Sequence, residues 1–95
     1  MKEKIEQILV KHDPVKLIKM GAPTDEYDSE AQMIWERTTR HFSQDKIHEI
    51  IYEIFLEQFD GKKSIIGESE KYKPIACEIK ELLDYQKAQT TWQPI

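Results

Sequence analysis

Asparagine is missing from this 95-residue chain, so it carries no acceptor for N-linked glycosylation. A single cysteine, Cys77, excludes an internal disulfide and suits a reducing compartment. Glycine and proline are sparse, at three and four residues, so helix breaks can be located from them. No apolar run approaches the ~20 residues of a membrane span. The charged opening, Met1-Lys2-Glu3-Lys4-Ile5-Glu6, lacks the apolar stretch of a signal peptide. A cytoplasmic location with no membrane partner is therefore expected. A basic surplus is also lacking, because 14 lysines and arginines face 18 aspartates and glutamates for a net charge of −4. A phosphate-backbone binder needs a concentrated basic face, so nucleic acid is not an expected partner.

What is present is a charged fraction of 34% beside a hydrophobic fraction of 39%. That balance suits a small helical bundle, in which each helix gives one stripe to the core and leaves the rest in water. The length allows one domain, burying roughly 65% of the surface its unfolded chain exposes. Regularly spaced isoleucines, leucines and aromatics argue against disorder.

Ile5, Ile8, Leu9 and His12 fall on one face of a helix over Lys2 to Lys11. It stops before Asp13-Pro14, an Ncap and N1 pair that predicts a short second helix carrying Val15, Leu17, Ile18 and Met20. Gly21 and Pro23 end it. Ala31, Ile34, Trp35, Thr38 and Phe42 mark a third helix, capped either by Thr24 or by Asp28 or Ser29, the last forming a box with Gln32. Ser43 caps the fourth, Asp45 sits in its first turn, and Phe42 can staple onto Ile47. Its apolar face is Ile47, Ile50, Ile51, Ile54, Phe55 and Phe59, with Glu49, Glu53 and Glu57 opposite and Asp60-Gly61 at its end. Tyr52 and Leu56 widen that face, which fits either central burial or self-association. Between Gly61 and Lys73 the pattern lapses, with Ile65-Ile66 expected to dock the connection. A last helix starts at Pro74, carries Ile75, Ile79, Leu82 and Leu83, and fades after Gln86. The expected fold is all-α: a compact bundle of about four helices plus one short helix, with no sheet. Residues 1–89 form the single domain and 90–95 a C-terminal tail.

Chemistry-bearing residues are few. Asp25, Glu26, Asp28, Glu30 and Glu36 lie between Gly21 and Glu36 with no lysine or arginine among them. The run lacks the alternating ligands, glycine and distal glutamate of a calcium loop, so it reads as helix-start charge or as a patch for a basic partner. Asp45 and His48 stand three apart, but a carboxylate-bridged iron bundle needs a second such motif and two more glutamates. Gly61-Lys62-Lys63-Ser64 lacks the upstream glycine of a phosphate loop. Cys77 points away from the apolar stripe and reads as an incidental, partly exposed thiol. Trp92 either covers one end of the bundle or anchors a contact with another chain.

The run from Asp13-Pro14 through Leu17-Ile18 to Pro23 and Asp25-Glu26-Tyr27-Asp28 resembles the YugE-like domain-of-unknown-function family of small bacterial helical proteins. The isoleucine-rich segment ending in Phe59 fits too, and the resemblance covers about the first 60 residues. His12 stands where many members of that family have tryptophan. The resemblance implies a helical fold and a bacterial cytosolic origin, and no activity.

The leading expectation is a non-catalytic protein-interaction module that meets a basic partner through Asp25, Glu26, Tyr27, Asp28, Glu30 and Trp92, in the manner of an immunity protein or antitoxin. No cofactor or metal is expected on that reading. The alternative is a metal-dependent or acid/base enzyme that brings His12, His41 or His48 together with the acidic run. A homodimer through the fourth helix or the Trp92 tail is compatible with either.

Overall fold

A computed structural model describes residues 2–21 and 26–91, with side chains to position 85. Its centre is the isoleucine-rich helix, here α3 (Gln44–Gln58). Ser43 is extended, and its hydroxyl accepts the Lys46 N–H at 3.1 Å, so an otherwise unpaired donor of the first turn is satisfied. Ile47, Ile50, Ile51, Ile54 and Phe55 are all buried. At the other end Asp60 takes a left-handed conformation (φ 55°), and the Gly61 N–H reaches back to the Leu56 carbonyl at 2.7 Å. This is a Schellman-type stop, in which a left-handed residue turns the chain and satisfies a last-turn carbonyl.

The other long helices are α1 (Lys2–His12), α2 (Asp28–Arg37) and α5 (Lys73–Thr91). They pack in the cyclic order α1, α2, α3, α5, each against two neighbours. Ile5 and Leu9 of α1, Ala31 and Ile34 of α2, and Ile75, Ala76, Ile79 and Leu83 of α5 join α3 in the core, with Val15, Tyr27, Ile66 and Tyr72 from the segments between the long helices. The fold is all-α, with no strand among the described residues. No described helix is long and apolar enough to cross a membrane.

Several boundaries differ from expectation. Residues 14–21 form a chain of turns and not a helix, because Lys16 is left-handed (φ 59°) and cannot continue one. The third helix ends at Arg37 and does not reach Phe42. Thr38 is extended, and its hydroxyl donates to the Ile34 carbonyl in the last turn at 2.6 Å. The expected Ser29–Gln32 capping box does not form at the start of α2. Tyr27 occupies the cap position without a side-chain bond to the helix's first turn, while Gln32 donates to Glu36 at 2.7 Å. The expected Thr24 cap lies outside the described residues.

The connection after α3 holds a one-turn helix, α4 (Lys63–Ile66), and a 3-10 turn at Ser69–Tyr72. Ile66 is buried as expected, whereas Ile65 stays 44% exposed. Tyr72 is also buried, with its hydroxyl donating to the Ile66 carbonyl at 2.6 Å. Phe55 is the aromatic hub, its ring 5.1 Å from Tyr72, 6.0 Å from Phe59 and 6.3 Å from Tyr27.

Candidate functional site

Asp13 ends α1 and organises the turns after it. Its N–H donates to the Leu9 carbonyl at 2.7 Å, and its backbone is left-handed (φ 46°), a conformation aspartate tolerates better than most residues. The carboxylate then gathers the next turn. Oδ1 accepts the Ile18 N–H at 3.0 Å and the Tyr27 hydroxyl at 2.7 Å, while Oδ2 accepts the Lys19 N–H at 2.9 Å. A helix over Pro14–Met20 would need those N–H groups for its own carbonyls, so the side chain competes directly with it. The Tyr27 hydroxyl also accepts the Val15 N–H at 3.3 Å.

Burial pushes the Asp13 carboxyl up, but the Tyr27 hydroxyl and the N–H groups of Lys19 and Ile18, with Lys16 nearby, outweigh it. The group ends below its ordinary value. Burial, and then the bond to Asp13, pushes the Tyr27 phenol well above its usual range. The pair is therefore a carboxylate held charged by a phenol held neutral. It fastens the turn to the aromatic cluster around Phe55.

The expected acidic patch divides on this geometry. Tyr27 is fully buried, so it gives the surface no aromatic anchor. Glu30 is 5% exposed, and its Oε1 has no hydrogen-bond partner among the described residues. Burial, reinforced by the charges of Glu26 and Asp28, pushes its carboxyl up. Glu26 and Asp28 do face solvent, Asp28 paired with Lys2 of α1. Asp25 and Trp92 lie outside the described residues.

The three histidines occupy separate places. His12 pairs with Glu78 of α5, which also takes Lys11, so that one carboxylate ties the end of α1 to α5. Burial alone would raise Glu78, but the bonds from Lys11 and His12 hold it below its ordinary value. The ring Nε2 of His48 lies 2.7 Å from the Ser69 carbonyl and 3.1 Å from its hydroxyl, linking α3 to the 3-10 turn. His41 is exposed in the α2–α3 connection. Among the described residues no three His, Cys, Asp or Glu side chains are grouped to hold a metal ion. The half-buried Cys77 Sγ lies 3.7 Å from Glu81 Oε1. Burial and the charges of Glu81 and Glu78 push its thiol up, which favours the less nucleophilic protonated form.

A scan of protein-family models, a search of curated proteins and a search of solved structures returned no match. Any function must therefore rest on the residues themselves. The Asp13–Tyr27 node is hidden in the sequence because Asp-Pro reads equally as a helix cap and as a turn. Glu78 is hidden because its partners are 66 and 67 positions away.

Proposed function

We propose that this chain is a non-catalytic protein-binding module of the bacterial cytoplasm that meets a basic partner through surface carboxylates. The carrying observation is how its polar groups are used. Asp13, Tyr27, His12, Glu78 and His48 each bond across from one element to another. These five side chains serve as internal ties, whereas the carboxylates of Glu26 and Asp28 stand at the outer surface.

Glu26 and Asp28 at the start of α2 are the described part of the contact, with Trp92 as its aromatic anchor. Charged rims of this kind raise association rates and select partners of opposite sign. A sharper version, neutralisation of a basic toxic enzyme, rests on size, charge and fold class. The bacterial setting rests on the YugE-like resemblance, and the cytoplasmic one on composition.

The test uses wild type and a Glu26→Lys/Asp28→Lys variant as baits in native cytosol, each first shown by circular dichroism to be folded. A basic protein held by wild type and lost by the variant is the expected result. The same partners on both baits, or none on either, would sink the proposal.

A further inference from the structure

The solvent side of α1 carries a charge pattern that is complementary to itself. Glu3, Gln7 and Lys11 are all exposed and spaced by four, so they form one ridge along the helix. Reversing the direction of that ridge about Gln7 exchanges Glu3 with Lys11. A shallow groove of about 410 Å³ lies on one flank, lined by Glu3, Glu6, Gln7, Val10 and Lys11. Another of about 300 Å³ lies on the other, lined by Lys4, Gln7, Ile8, Lys11 and Leu82. Val10, Ile8 and Leu82 are only partly buried and supply apolar surface to these flanks. Tyr85, three residues beyond Leu82 and therefore beside it on the surface of α5, is 61% exposed.

We infer that this face of α1 binds a second copy of the same chain in an antiparallel, two-fold symmetric pair. Interlocking rows spaced by four are the commonest packing between helices, with axes crossing near −50°. In that arrangement the ridge of each copy enters a groove beside the ridge of the other. Glu3 then faces Lys11 of the second copy at both ends, and Gln7 lies beside the axis facing its own equivalent. A two-fold contact must be self-complementary, and closing on itself it yields a dimer and not a filament. Lys11 already pairs with Glu78, but its side chain is 62% exposed, so its ammonium can bridge to a second carboxylate. A helix of 11 residues spans about 16 Å, too little for the ~800 Å² per partner of a standard interface. The dimer is accordingly weak, concentration-dependent and sensitive to salt.

The test is sedimentation over a concentration series reaching about 1 mM. Glu3→Lys places like charges at both ends of the pair, as does Lys11→Glu. Each variant alone should remain monomeric where wild type associates. Mixed in equal amounts they should form a heterodimer, since each then meets opposite charges. Independently, Gln7→Cys in a Cys77→Ser background should form a disulfide-linked dimer on mild oxidation, because position 7 lies beside the axis and faces its own equivalent. Wild type that stays monomeric throughout would overturn the inference. So would association untouched by Glu3→Lys, or a mixture no more associated than its components.

Discussion

Tyr27 and Asp13 join two segments through a single carboxylate, and removing one hydroxyl isolates that contribution. Tyr27→Phe keeps the ring beside Phe55 but takes a donor from Asp13 and an acceptor from the Val15 N–H. A lost buried hydrogen bond with groups left unsatisfied costs about 1–3 kcal/mol. The expected result is a lower denaturant midpoint at unchanged slope; an unaltered midpoint would show that the hydroxyl bond contributes nothing. Glu30 predicts the opposite sign. Its carboxyl is pushed up by burial and by Glu26 and Asp28, so any stability it lends belongs to the neutral form and is lost as pH rises through the folded value. Glu30→Gln mimics that neutral form and should raise the midpoint at pH 7. A fall instead would mean that the charged carboxylate has a stabilising partner. At this scale the sequence is a partial guide. The acidic run is visible in it, but which of its members turn inward depends on the rotation of α2 and on the pull of Asp13 upon Tyr27. Neither is a local property.

Helix α3 is the most legible element, because three local signals agree on it: a serine cap, a broad isoleucine face and a glycine after the last turn. Ser43→Ala should cost about 0.5–2 kcal/mol through loss of the bond to the Lys46 N–H. Phe55→Ala should cost about 3–5 kcal/mol, since it empties the hub on which Tyr27, Phe59 and Tyr72 converge. Thermal or denaturant unfolding reads both, and equal losses would contradict the ranking of a surface cap below a core ring. Elements with less agreement depart from expectation. Apolar spacing at Val15, Leu17 and Ile18 resembles a helix, yet Asp13 takes the N–H groups such a helix would use. Tyr72 sits in a stretch without periodicity, and its burial follows from Phe55 and Ile66, not from its neighbours in sequence. Thr38 continues the apolar stripe of α2 beyond the point where its extended backbone has left the helix.

Across the whole molecule, α1 is held at its C-terminal end by two lowered carboxyls: Asp13 gathers the following turn and Glu78 reaches from α5 to Lys11 and His12. Both titrate in the folded state below their unfolded values. As pH falls, the unfolded chain therefore takes up these protons first, and the equilibrium shifts towards it. The stability they supply is fully present above the ordinary carboxyl range near ~4 and drains away as pH drops through the folded values. Glu30 works the other way, favouring the folded state as it becomes neutral, so it softens the acid loss without setting its direction. The denaturant midpoint should accordingly fall between pH ~6 and ~3. Glu78→Gln separates the tie to α5 from general charge effects. It removes the group that Lys11 and His12 hold charged, so the variant should start less stable at pH ~6 and lose less on acidification. Curves for wild type and variant that run parallel down to pH ~3 would mean that Glu78 does not titrate below its unfolded value. The acid sensitivity would then belong to Asp13, and the end of α1 would be fixed by its turn and not by its neighbour across the bundle.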